Sequence, residues 1–138
     1  MSILLDTHVF IWAAVDSDKQ LSSAAAAILN DPDQRVFFSS ISALEIAIKW
    51  SKGNIELPIP PLEFINKTLD FAGISQLAVT VKDACAVGDL PFHHRDPFDR
   101  LLVVQARTNN LRLMTADPIL EKYDVDVIAL WLDDDDDE

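Results

Sequence analysis

Four acidic residues stand where a chain of this kind could gather charge for chemistry. Asp6 directly follows the apolar run Ile3-Leu4-Leu5. Glu45 follows a second apolar run, Arg35 to Ser39, and closes the segment Ser42-Ala43-Leu44-Glu45. Asp99 lies just past Asp96-Pro97, and Asp117 comes two residues after the run Leu111 to Thr115 and immediately before Pro118. Carboxylate oxygens without thiolates suit a hard cation, Mg²⁺ or Mn²⁺. They do not resemble a closed structural zinc site. A hard cation polarises a phosphoryl oxygen, activates water and stabilises a leaving oxygen, so phosphodiester hydrolysis is the natural chemistry.

The elements that must position these acids are legible as alternating short apolar runs and helical patterns, the α/β signature. Strands are expected at 3–5, 35–39, 77–81, 111–115 and 127–130. Helices are expected at about 8–15, from Leu21-Ser22 to Asn30, from Ser42 to Trp50, at 62–71 with Gly73 as the C-cap, at 82–87, from Asp96-Pro97 to Asn109-Asn110, and briefly after Asp117-Pro118. In a parallel sheet, Asp6, Glu45 and Asp117 then share the carboxyl edge of the strands, where open α/β sheets keep their ligand crevice. Asp99 follows a loop, so its place on that edge is less direct.

Each acid also has an ordinary reading. Asp6, Asp96 and Asp117 are good N-caps, Glu45 would complete a capping box with Ser42, and Asp99 would face the helix dipole. Acids at helix N-termini typically gain about 0.3–1 kcal/mol. Any one of them alone reads best as a cap. Four helix starts using carboxylates near one edge exceeds what capping needs, because Ser, Thr or Asn would serve as well. Like charges drawn together need a counter-charge.

Length and composition are compatible with this reading. The chain has 138 residues, enough for one domain with one core, and 49% of them are hydrophobic. No apolar run approaches the ~20 residues that span a bilayer, and the start lacks the basic segment of a signal peptide. The one cysteine, Cys85, cannot form an internal disulfide, so a reducing, cytoplasmic setting and no membrane association are expected. The net charge is −12, and six of those charges fall in the terminal run Asp133 to Glu138. That run is expected to be a disordered tail behind a domain of residues 1–132. The acidic balance counts against a nucleic-acid binder, although clustered ligands inflate it and bound cations reverse it locally.

The same segments resemble the PIN domain, especially VapC-type toxin ribonucleases of toxin–antitoxin pairs. Ile3-Leu4-Leu5-Asp6-Thr7-His8 is similar to the family's opening strand and first acid. Ser42 to Ile46 is similar to its second acid motif, His94 to Leu102 to its third, and Thr115-Ala116-Asp117 to its fourth. Order and spacing match from about Ser2 to Leu130. Any single motif is weak, whereas the ordered set is specific. The resemblance implies a single α/β domain with a parallel five-stranded sheet between helices, in strand order 3-2-1-4-5. It implies an Mg²⁺- or Mn²⁺-dependent endonuclease acting on RNA, a cognate antitoxin protein, homodimerisation, and repression of the operon by the toxin–antitoxin complex. By position, Asp6, Glu45, Asp99 and Asp117 are the catalytic and metal-binding acids. Asp6 and Asp99 would hold the principal cation, Glu45 would share it or shape the site, and Asp117 would bind directly or through water. Asp96 is an added acid: a ligand, an outer partner of the ligands, or only the cap, with the last two favoured.

Lesser candidates surround these four. Thr7 and Thr115 would orient ligands, bind phosphate, or merely cap strand ends. Lys49 would contact RNA phosphate or form a Glu45–Lys49 helix pair, and the pair is slightly favoured. Arg95 and Arg100 are the better phosphate candidates, with Arg100 equally able to pair with Asp96. His8, His93 and His94 are too scattered for a metal set and read as structural or peripheral. Trp12 and Trp50 read as packing residues. The segment from Asn54 to Phe64, with Ile55, Leu57, Ile59 and Leu62, is a candidate dimer or antitoxin surface.

Three competing readings remain. A phosphoacceptor domain or a haloacid-dehalogenase-like phosphatase also places Asp at strand ends. A haloacid-type site wants a second Asp two residues after the first, where this chain has His8. A non-catalytic binding module is disfavoured by four intact acids. An RNA-processing nuclease without an antitoxin would be told apart by the absence of a short upstream gene for a small DNA-binding protein.

Overall fold

A computed structural model describes residues 2–15 and 22–130. The expected acidic tail, and Leu21 at the expected start of the second helix, lie outside the described residues. Five strands form one parallel sheet: β1 (Ser2–Leu5), β2 (Arg35–Ser39), β3 (Ser75–Leu77), β4 (Arg112–Thr115) and β5 (Val127–Ala129). Their order is β3-β2-β1-β4-β5, with every neighbouring pair parallel. This is the order implied by the resemblance. Helices α1 (Thr7–Ala14), α2 (Ser23–Leu29), α3 (Ser40–Ser51), α4 (Pro61–Ala72), α5 (Val81–Ala86) and α6 (Pro97–Thr108) connect the strands.

The central strand shows why the sheet is covered on both faces. Ile3, Leu4 and Leu5 are all fully buried. Successive side chains of a strand point to opposite faces. Ile3 and Leu5 accordingly join one apolar cluster with Val9, Phe10, Phe38, Ile46, Phe64 and Leu69. Leu4 joins the other, with Leu101, Leu102, Val104, Leu113 and Leu120. A strand buried on both faces reads as an unbroken apolar run, as parallel strands do.

The third strand departs from the sequence expectation of 77–81. It is Ser75–Leu77, and Val81 instead begins α5. The reason is local. The Thr80 hydroxyl accepts from the Asp83 amide at 3.0 Å, and the Asp83 carboxylate accepts from the Thr80 amide at 3.1 Å. This capping box turns an apolar β-branched run into a helix start. The other strands and helices fall within a residue or two of their expected bounds except at the start of α3.

That start matters for the site. Ser39, rather than Ser42, caps α3, its hydroxyl accepting from the Ile41 amide at 3.1 Å. Glu45 therefore lies in the second turn and completes no capping box. The Ser39 hydroxyl in turn donates to Gln105 Oε1 of α6, and Gln105 Nε2 donates to the Ala78 carbonyl at 3.3 Å. A fully buried amide thus ties the helix bearing Glu45 to the helix bearing Asp99. Among the described residues, no helix is long and apolar enough to cross a membrane.

The candidate interface segment is half-buried against the core. Ile55, Leu57 and Ile59 pack against the first apolar cluster, leaving Leu62 exposed. Trp12 packs as expected, whereas Trp50 is 42% exposed.

Replacing Gln105 by Leu leaves the buried Ser39 hydroxyl without its acceptor, while the carbonyl of exposed Ala78 can turn to water. Losing partners for buried polar groups costs about 1–3 kcal/mol. Urea unfolding of Gln105→Leu should show a lower midpoint with an unchanged slope, and an unchanged midpoint would mean that the bridge carries no stability.

Candidate metal centre

The carboxyl edge of the sheet collects the acids, each from a separate segment. Asp6 leaves the end of β1 and caps α1. Its Oδ1 accepts from the Val9 amide at 2.9 Å, and its Oδ2 accepts from the Thr115 hydroxyl at the end of β4. Glu45 enters from α3. Its Oε1 accepts from the Thr7 hydroxyl at 2.6 Å, and its Oε2 pairs with Lys49 Nζ at 2.8 Å. Thr7 has one proton, which goes to Glu45, so the Ser42 hydroxyl 2.9 Å away is the donor in that contact. Asp6 and Glu45 are buried, 4% and 2% exposed, and form the floor of the cluster.

Asp99 and Asp117 form its outer wall, with side chains 18% and 33% exposed. Asp99 occupies the first turn of α6, whose cap is Asp96: its Oδ1 accepts from the Phe98 amide at 2.8 Å. Asp117 caps the 3-10 turn Pro118–Lys122. Its Oδ1 accepts from the Ile119 amide at 3.0 Å, and its own amide donates to Thr115 Oγ1 at 3.0 Å. His94 Nε2 bridges this wall, 2.8 Å from Asp117 Oδ2 and 3.2 Å from Asp99 Oδ2.

The ordinary and the functional readings of the acids therefore hold together. In Asp6 and Asp117 one carboxylate oxygen caps a helical turn, and the other is held by a Thr115 or His94 side chain within the cluster.

Electrostatics records the crowding. The Asp99 carboxyl is pushed up to about 8, first by burial and then by Asp96, Asp6, Glu45 and Asp117. All four other acids thus act on Asp99. Asp6 is also raised, chiefly by burial, against the hydrogen bonds from Thr115 and Val9. The donor chemistry fits a hard divalent cation: carboxylates from four segments face one another, and the nearby lysine is paired with Glu45. Among the described residues, potential ligand atoms of His94, Asp99 and Asp117 all lie within 4.8 Å of one another. Asp6 and Glu45 lie outside that tightest group.

The expectation for Arg100 changes, and the alternatives open for Thr7, Thr115 and Lys49 are decided. Arg100 does not face phosphate. It is buried, and its guanidinium donates to the carbonyls of Val87 at 3.0 Å, Pro91 at 3.1 Å, His94 at 3.3 Å and Leu90 at 3.4 Å, with the Phe92 ring 4.2 Å away. It serves the loop ahead of α6 rather than the solvent or Asp96. Thr7 and Thr115 are likewise buried with their hydroxyls committed, so they orient carboxylates and do not reach phosphate. Lys49 forms the helix pair with Glu45. Arg95 stays exposed. His94 is the residue that sequence reasoning set aside. Its place two residues before the cap of α6, within the segment His94 to Leu102 that resembles the third motif, is the available signal.

The matched family model is the PIN domain, over residues 3–126. The chain is 28% identical over 123 residues to the ribonuclease VapC22 of Mycobacterium tuberculosis, covering 88% of this chain and 92% of that protein. Its fold resembles VapBC2 of Rickettsia felis bound to a DNA fragment from their promoter, with a TM-score of 0.67 and 15% identity over 94% of this chain and 98% of that one. DNA-bound VapBC of Salmonella typhimurium gives a TM-score of 0.64, also at 15% identity, over 94% and 98%. With nearly the whole described fold matched, and with the four acids on one edge of a 3-2-1-4-5 parallel sheet, the chain belongs to the PIN-domain family.

Proposed function

We propose that the protein is a metal-dependent endoribonuclease, the toxin of a toxin–antitoxin pair, and that Asp6, Glu45, Asp99 and Asp117 form its active site. The observation that carries this reading is the gathering of Asp6, Glu45, Asp99 and Asp117 from separate segments at the carboxyl edge of the sheet, where burial and the neighbouring carboxylates push the Asp99 carboxyl up to about 8. The likeness to a ribonuclease over most of both chains supports RNA as the substrate. The fold shared with VapBC assemblies supports a small antitoxin partner. Homodimerisation is part of the same reading.

Asp6 and Asp99 would hold the cation, with Glu45 and Asp117 completing or shaping the site. A bound Mg²⁺ or Mn²⁺ supplies positive charge at the scissile phosphoryl group and makes water a better nucleophile at neutral pH. The chain's own residues supply the geometry. Thr115 and the α1 cap fix Asp6, and Thr7 and Lys49 fix both oxygens of Glu45. Asp99 and Asp117, the more exposed pair, would be the first to meet an arriving phosphodiester. Arg95, exposed one residue before the cap of α6, is the remaining candidate for phosphate contact.

The direct test incubates purified protein with total cellular RNA and Mg²⁺ or Mn²⁺, beside Asp99→Asn and an EDTA control. Wild type with metal should yield discrete fragments, and Asp99→Asn should lose at least about hundredfold in rate, as when a preorganised charge-stabilising group is removed. Equal cleavage by that variant would sink the assignment.

A pH prediction follows from the raised Asp99. Its ordinary value is 3.8, against about 8 in the fold. Between these values the folded chain binds the proton and the unfolded chain does not, so stability falls as pH rises through the window. In EDTA, wild type should lose stability relative to Asp99→Asn between pH 5 and pH 8.5, read from urea midpoints. Mg²⁺ should offset that loss, since binding displaces the proton. Parallel pH curves for the two proteins would contradict the crowding of Asp99.

A further inference from the structure

His94 is held from three sides by groups that have no part in ligation. Its backbone amide donates to the Tyr123 hydroxyl at 2.9 Å. Its carbonyl accepts from Arg100, which also gathers the carbonyls of Val87, Leu90 and Pro91. Its ring Nδ1 lies 3.1 Å from the Asp96 amide, as the acceptor of that N–H. A ring nitrogen that accepts from an amide carries no proton, so the imidazole proton sits on Nε2. That Nε2–H points between Asp117 Oδ2 and Asp99 Oδ2.

This arrangement runs opposite to that of a metal-binding histidine. A ligating imidazole offers a bare nitrogen to the metal and donates its other N–H to a carboxylate or carbonyl. Here the nitrogen away from the cluster faces a donor, so ligation through Nε2 would set two N–H groups against each other at Nδ1. The backbone amide cannot turn away, because Asp96 is the N-cap of α6 and its carboxylate is committed to the Phe98 amide.

We propose that His94 is a positioning residue, whose Nε2–H holds the Asp117 and Asp99 carboxylates at the separation in which they receive a divalent cation, and that it is not itself a ligand. The inference rests on the metal-binding reading above. It gives the buried Arg100 a role: the cation that sequence reasoning aimed at RNA phosphate instead fixes the loop that delivers His94. Asp96 takes the same kind of role, orienting the ring through its amide rather than ligating through its carboxylate.

Mn²⁺ binding to the full chain, without RNA, tests this apart from catalysis. His94→Ala should weaken Mn²⁺ affinity by about 10–100-fold in calorimetry, the usual effect of removing an outer partner of the ligands. His94→Gln places an amide donor at the reach of Nε2 and should restore affinity to within about threefold of wild type. Pulsed EPR of Mn²⁺-loaded wild type should show no coupling from a directly coordinated imidazole nitrogen. Circular dichroism of each variant establishes that it is folded. Affinity in His94→Ala equal to or tighter than wild type would overturn the proposal, as would a coordinated-nitrogen signal or a failure of Gln to restore binding. Folded wild type that binds no Mn²⁺ would overturn the metal reading itself, and the positioning role with it.

Discussion

Mutual repulsion among carboxylates gathered on one edge is the constraint around which this molecule is organised. Burial raises the Asp99 carboxyl most, and Asp96, Asp6, Glu45 and Asp117 all push it further upward. Burial weakens solvent screening, so the repulsion is felt more strongly than it would be at the surface. A fold that permits this must restrain each side chain separately. It does so with backbone amides at the helix caps, with the hydroxyls of Thr7 and Thr115, and with Lys49. The restraints come from α1, α3 and β4, and α1 serves two acids at once, its Val9 amide holding Asp6 and its Thr7 hydroxyl holding Glu45.

The parallel sheet makes that division possible. Strands running the same way end on the same edge, and each then turns into a helical segment whose first amides need acceptors. An acid at that turn can cap with one oxygen and present the other to the crevice. Asp6 and Asp117 do so, one after β1 and the other after β4. A charged rather than neutral cap gains about 0.3–1 kcal/mol from the helix dipole. That is too little to explain why carboxylates rather than neutral caps are used, and enough to fix their direction. Stability and function are served by different oxygens of one side chain.

This sharing explains what could be seen in the sequence. The central apolar run of β1 and the edge position of Asp6 and Asp117 follow from patterns confined to a few neighbouring residues, whereas strand order is implied only by the resemblance to the PIN domain. Residue type puts Glu45 on the right helix but one turn too near its start, because Ser39 and Ser42 are equally good caps by type. Only the buried contact of Ser42 with Thr7 decides between them. The boundary of β3 failed for a related reason: Thr80-Val81 has strand propensity, and the reciprocal bonds of Thr80 and Asp83 override it. Arg100 and His94 were beyond local reading altogether. Their partners are carbonyls, a tyrosine hydroxyl and carboxylates brought together by chain folding, and a guanidinium that binds carbonyls leaves no mark that distinguishes it from one awaiting phosphate.

The acidic balance of the chain looks different once those cations are placed. A basic surface is how most nucleic-acid binders attract phosphate. Here Arg100 is buried among carbonyls and Lys49 is paired with Glu45, so two of the cations nearest the acids are spent on architecture. On the proposed reading, the attraction that draws phosphate into the crevice belongs chiefly to the cation the acids would hold, since a bound divalent ion is often the largest local charge in such a site. The protein's part is then to keep the acids close and fixed, and to leave the one counter-charge they need to be supplied from outside. An acidic surface does not oppose that arrangement. It makes binding of polyanions depend on the loaded centre, so that a chain without its cation repels the molecules it would otherwise cut.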